Sequence, residues 1–151
     1  MRSMSERERT VTIAPASPAH DVRLRSQTLL YLRAGILLSR FEYWIQNRDF
    51  RQVYDRVRRT PVLQEGVAPN SSPDKICRAV DHVCIWYWKP VLCLQRSATT
   101  CCLLKMYGVP ATLVIGVRQL PFRAHSWVEL NGAIVNDKPY LRSMYAVVDE
   151  V

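Results

Sequence analysis

Two hydrophobic periods run along this chain, and the point where one gives way to the other divides it. From Asp21 to Arg40 the spacing is helical: Leu30, Ala34, Leu37 and Phe41 fall on one continuous stripe. Leu29, Leu32, Ile36 and Leu38 widen that stripe, so the helix is expected to be buried on most sides. Gly35 within it is unfavourable by about 1 kcal/mol and is read as a point of close packing. Trp44 and Ile45 extend the apolar surface, which serves a core or a partner contact.

Asp49 caps a second predicted helix, with Gln52 as its capping-box partner. Phe50, Val53, Tyr54 and Val57 form its apolar face, and Arg51, Arg56, Arg58 and Arg59 the outer one, until Thr60-Pro61 ends it. Val62 to Ser71 reads as a loop. Ser72-Pro73-Asp74 is a helix start, with a cap residue, a proline in the first turn and an acid near the positive end. Ile76, Val80, Val83 and Tyr87 give that third helix its stripe. Trp86, Tyr87 and Trp88 are expected mainly to pack in the core. Trp86 or Trp88 alternatively lines a cleft, since both precede Cys93.

Cys93 to Tyr107 is the central helix, closed by Gly108 and Pro110. The pattern then turns to β. Thr112 to Val117 is a buried strand, and Ala124 to Leu130 and Ala133 to Asp137 are two more, joined at the hairpin signal Asn131-Gly132. Helices followed by an antiparallel sheet make an α+β class.

The length of 151 residues suits one domain with a real core. Residues 1–20 are polar, charged and contain proline, with no apolar signal core. They predict a mobile tail on a cytoplasmic protein, ahead of a domain spanning 21–151. The most apolar segment, Ser26 to Phe41, is broken by Arg33 and Arg40 and is too short to span a membrane. A formal charge of +8 suits an acidic partner. No cluster of Lys and Arg interleaved with aromatics marks a nucleic-acid groove, so no nucleic-acid partner is expected. No phosphate-binding glycine loop is present, and no cofactor can be read from the sequence.

The five cysteines contain no CxxC pair, and their odd number argues against a disulfide framework. Cys77 and Cys84 share a helix face as small buried residues. His82 falls on another face, so no metal site is expected. Cys93 differs from the rest because it opens a helix, where the dipole and unpaired amides favour a thiolate and can hold an oxyanion. Cys101 and Cys102 lie too far in for those amides. His125 is the only histidine on a strand downstream of that helix and suits a general base. Asp137, or its neighbour Asn136, would orient the imidazole.

The run Cys93-Leu-x-Arg-Ser97, Gly108-Val-Pro110, Ile115-Gly116-Val117, Pro121-Phe122-x-Ala124-His125-x-Trp127-Val128-Glu129, Gly132 and Asp137 resembles the B-protein peptidases of lasso-peptide biosynthesis, which are transglutaminase-like cysteine proteases. The resemblance covers Cys93 to Asp137 in one block; the earlier helices match only in character. It implies a Cys93, His125 and Asp137 triad that removes the leader from a ribosomally made precursor peptide, with Trp88 and Trp127 as substrate-binding candidates. An asparagine-synthetase-like cyclase would then close the macrolactam. Residues 1–20 are too few for the leader-recognition domain of fused members, so the split form is expected, with a small separate recognition protein. Two other readings stay open. One is a transglutaminase or amidase with the same thiol chemistry. The other is a non-catalytic docking subunit.

A regular two-residue turn at Asn131-Gly132 would put Asn136, not Asp137, on the His125 face, since side chains alternate. With Asp137 as the third member, the parity must change by one. An odd-length loop or a bulge between His125 and Asp137 is therefore expected.

Overall fold

The computed structural model describes residues 18–63 and 72–151, with side chains from Ser26 onward. Residues 1–17 of the expected tail and most of the Val62–Ser71 loop lie outside the described residues, whereas Pro18 to His20, expected in the tail, open the first helix. Helix α1 spans Pro18–Gln46, α2 Phe50–Arg59, α3 Pro73–Trp86 and α4 Cys93–Met106. Strands β1 (Thr112–Arg118), β2 (Arg123–Leu130) and β3 (Ala133–Ile134), the short α5 (Leu141–Met144) and β4 (Ala146–Glu150) follow. The sheet is antiparallel in the order β3-β2-β1-β4, so the class is α+β.

Helix α4 is the centre of the molecule. It touches α1, α2 and α3 on one side and β1 and β2 on the other. Residues Ser97 to Leu104 are all buried, which explains why this helix carries so few charges. The expected α1 stripe faces it: Leu30, Ala34, Leu37 and Phe41 are buried, and Leu38 with them. Burial on most sides is not what the structure shows, because Leu29, Leu32 and Ile36 are 43%, 59% and 56% exposed. Helix α1 packs against α2, α3 and α4, and these three side chains lie where that packing leaves it exposed. Gly35 is not a tight contact either, since a Cβ there would come no nearer than 4.0 Å to Val83.

The boundaries follow local chemistry. The Asp49 carboxylate accepts the Gln52 amide at 3.3 Å at the start of α2, and Thr60 ends that helix. Ser72 occupies the α3 N-cap without a side-chain bond, with Pro73 in the first turn. Gly108 adopts φ +82 just after α4, where its missing side chain avoids the Leu63 carbonyl. Trp86 and Trp88 do not pack in the core. They are 85% and 75% exposed, because α3 ends at Trp86 and the chain leaves the bundle there.

The sheet has two faces. Leu113 and Val128 point toward α4, whereas Val114 and Trp127 meet Leu141 and Tyr145 on the far side. Strand β4 had no counterpart in the sequence reading. It pairs with β1 with one extra residue, Val148, opposite the step from Ile115 to Gly116. Among the described residues no helix is long and apolar enough to cross a membrane, and no cluster of metal-ligating side chains occurs.

Candidate active site

Cys93 is the first residue of α4, and the residue in the cap position is Leu92. A leucine offers no side-chain acceptor, so the first-turn amides have no side-chain cap and no carbonyl inside the helix. Gln95 is otherwise occupied. Its Oε1 accepts the Leu92 amide at 3.3 Å, while its Nε2 donates to the Leu38 carbonyl at 3.1 Å, pinning the helix start to α1. Cys93 is thus half-buried at an uncapped positive helix end.

Of the other cysteines, Cys77, Cys101 and Cys102 are buried and Cys84 half-buried. Burial pushes the Cys77 thiol up to about 11, with Asp81 and Asp74 adding to it. Burial likewise pushes Cys101 up to about 12. Neither supplies a thiolate near neutral pH.

His125 Nε2 lies 2.9 Å from Asp137 Oδ2, in a pair whose side chains are 25% and 19% exposed. Burial alone would raise the Asp137 pKa. The His125 hydrogen bond, the Lys138 amide and the charges of His125 and Arg96 outweigh it and hold the carboxyl below its ordinary value. With Nε2 engaged, Nδ1 is the ring nitrogen left for a thiol.

The β3 end brings Asp137 to His125 in a way the sequence reading missed. The turn is a regular two-residue one, with Leu130 opposite Ala133 and Asn131 and Gly132 at φ 49 and 80. The expected odd-length loop or bulge is therefore corrected. Parity changes later, because β3 stops at Ile134 and residues 135–137 bend out of the ladder. Val135 still donates to the Val128 carbonyl at 3.0 Å. The Val128 amide, however, goes to the Asn136 side-chain Oδ1 at 2.7 Å. Asn136 then donates through Nδ2 to Ser97 Oγ at 3.0 Å. Asn136 is buried against α4 and does not orient the imidazole.

Ser97, one helical turn after Cys93, donates to the Ser126 carbonyl at 2.9 Å. This bond fixes the start of α4 against the residue that follows His125. Among the described residues the Cys93 thiol makes no hydrogen bond; its tie to His125 and Asp137 runs through the helix.

The two tryptophans proposed from sequence separate. Trp88 is exposed, with Lys89 Nζ 4.0 Å above its ring. Trp127 is fully buried, so its expected substrate contact is corrected. It donates Nε1 to Glu129 at 2.7 Å, and its ring centroid lies 6.3 Å from that of His125. Tyr145, which the sequence reading passed over, lies 5.7 Å from His125 on the same side. It sits between α5 and β4, neither of which the periodicity showed.

The microcin J25-processing protein McjB of Escherichia coli is 42% identical to this chain over 59 residues, a stretch that is 39% of this chain and 28% of McjB. No solved structure matches the chain significantly. The model of the transglutaminase-like superfamily matches residues 35–150, which takes in α4, the whole sheet and the three residues described above, so the chain belongs to the transglutaminase-like superfamily.

Proposed function

We propose that this protein is a cysteine peptidase that removes the leader from a ribosomally made precursor of the lasso-peptide type. The observation that carries the reading is the His125–Asp137 pair at 2.9 Å on a sheet that Ser97 locks to the Cys93 end of α4. In this reading His125 Nδ1 takes the Cys93 proton, and the thiolate attacks the scissile carbonyl. The uncapped amides of α4 hold the oxyanion. The imidazolium then gives its proton to the leaving amine, and water releases the acyl group from the sulfur. Asp137 keeps the ring oriented.

The peptide substrate is supported by the likeness to McjB, whose name describes processing of microcin J25, and by the motif resemblance from Cys93 to Asp137. A small leader-recognition protein and a macrolactam cyclase are the partners this reading carries. The exposed apolar side chains on α1 and around Trp86 suit a protein partner. The deciding experiment is incubation with a leader-bearing precursor, with and without the recognition protein, followed by mass spectrometry. Two fragments with water added establish a peptidase. Joining to an added amine with loss of ammonia would make the protein a transglutaminase instead. Cys93→Ala should abolish either product while leaving the fold intact. Normal cleavage by that variant would remove Cys93 from the mechanism.

A further inference from the structure

Arg96 occupies a position that helix energetics do not favour. It lies in the second half of the first turn of α4, where the dipole opposes a cation, and no acid in that turn offsets it. Its partners lie elsewhere. Nε and Nη2 reach Asp81 Oδ1 of α3 at 2.9 and 2.8 Å, and Nη2 also donates to the Asn136 carbonyl at 2.7 Å. Nη1 stands 4.0 Å from Asp137 Oδ2, the oxygen that meets His125. One guanidinium therefore joins α3, the start of α4 and the peptide immediately before Asp137.

We propose that Arg96 is a positioning residue for the His125–Asp137 pair, holding the Asn136–Asp137 peptide so that the carboxylate faces Nε2, with Asp81 as its anchor. This rests on the reading of Cys93, His125 and Asp137 as catalytic. After the Val135 bond to the Val128 carbonyl the chain leaves the ladder, so backbone hydrogen bonds of the sheet do not fix residues 136 and 137. Asn136 holds its side-chain end through Val128 and Ser97, and Arg96 holds its carbonyl. The charges facing Asp137 are His125 from β2, Arg96 from α4 and the ammonium of its own neighbour Lys138, whose amide also donates to Oδ1 at 2.8 Å. Asp81 faces Arg96 from α3 and balances it. That balance matters, because an unpaired cation beside His125 would oppose formation of the imidazolium. The geometry needs a planar fork with several donors. A lysine ammonium is a point donor and does not span Asp81 and the Asn136 carbonyl in the same way.

The test uses Arg96→Gln, Arg96→Lys and Asp81→Asn in the full chain. It reads kcat and KM on the precursor, the pH dependence of Cys93 alkylation by iodoacetamide, and the NMR signal of the His125 ring N–H. A misplaced catalytic group costs up to about 100-fold, so Arg96→Gln should lower kcat by roughly 10- to 100-fold with KM held within about twofold. The His125 N–H resonance should move or vanish through exchange, and alkylation below neutral pH should slow in parallel. Arg96→Lys should not rescue. Asp81→Asn, which leaves α4 unaltered, should act in the same direction and more weakly.

Unchanged kcat with an unmoved His125 signal in Arg96→Gln overturns the proposal, as does full rescue by lysine. A loss of activity that merely follows the unfolded fraction, with the His125 signal of the folded fraction unmoved, also overturns it. If wild-type Cys93 alkylates no faster than a free thiol, the catalytic reading fails. The His125 resonance still judges Arg96 in that case.

Discussion

The side chain of Asn136 takes the Val128 amide at 2.7 Å, in the place where a continuing β3 would have offered a backbone carbonyl. This substitution ends the strand and turns the next residue, Asp137, toward His125. Asn136→Ala should thus be costly in two ways. It leaves the buried Val128 amide and Ser97 hydroxyl short of partners, which should cost about 1–3 kcal/mol in urea denaturation, and it loosens Asp137. Asp137→Ala should show the opposite balance, a far larger fall in kcat with a smaller loss of stability. A larger kcat loss for Asn136→Ala would mean that Asp137 is not the orienting group.

That relationship marks the limit of what the sequence shows. Parity along β2 and β3 is legible, because side chains alternate and a two-residue turn has a known register. It showed correctly that Asp137 and a regular continuing strand are incompatible. It did not show where the break falls, because a side chain replacing a backbone acceptor leaves no periodic trace. Helices α2, α3 and α4 were legible from caps and stripes. The exposure of Leu32, Ile36 and Trp86 was not, since periodicity marks an apolar face without saying what covers it. Strand β4 was missed because all five of its residues are exposed and carry no alternation.

Gly116 lies opposite His125 in the β1–β2 register. A Cβ there would sit 2.7 Å from Trp127 Cη2 and 2.9 Å from Tyr145 Cβ. Neither is the loose end of a flexible chain, so Gly116→Ala should destabilise by about 1–3 kcal/mol through overpacking. Because Trp127 and Tyr145 flank His125, activity should fall at temperatures where the variant is still folded. Thermal denaturation and rate measured on one sample check both. A variant as stable and active as wild type would show that the rings shift freely.

Thiol chemistry should separate the cysteines. Cys93 is half-exposed at a helix start, whereas Cys77 and Cys101 are held near 11 and 12 by burial. Brief labelling with iodoacetamide near pH 7, followed by peptide mapping, should modify Cys93 first. Cys77 and Cys101 should react only when urea unfolds the chain. Labelling of Cys101 at the Cys93 rate in the native protein would contradict the assigned burial.

Two carboxylates tie stability to pH. Hydrogen bonds from Arg142 and, against the pull of burial, from Trp127 hold Glu129 below its ordinary pKa. Asp137 is held low despite burial by His125, the Lys138 amide and Arg96. A carboxyl with a folded pKa below its unfolded one adds stability above the unfolded value, about 4. That contribution is lost as pH falls through the folded value. Urea midpoints should therefore be level from pH 7 to about 5 on this account and drop below about 4. Glu129→Gln should flatten the acid slope. An unchanged slope in that variant would place the acid sensitivity elsewhere.

The two tryptophans should respond to truncation according to what each touches. Trp127 is fully buried and hydrogen-bonded to Glu129, so Trp127→Ala opens a large cavity and leaves the Glu129 carboxylate with Arg142 as its remaining partner. It should cost about 3–5 kcal/mol and leave little folded enzyme. Trp88 is 75% exposed on the segment between α3 and Cys93. That segment is itself anchored: Lys89 pairs with Glu42 of α1 at 2.9 Å, and the Tyr87 hydroxyl donates to the same carboxylate. An exposed aromatic on an anchored segment a few residues ahead of the proposed nucleophile is well placed to meet a peptide. Trp88→Ala should leave the melting temperature within about 2 °C of wild type, as surface changes do. It should raise KM for the precursor several-fold with little change in kcat, the mark of lost uniform binding. Glu42→Gln should loosen the same segment and raise KM in the same direction. An unaltered KM in Trp88→Ala would show that the substrate path avoids this side of Cys93.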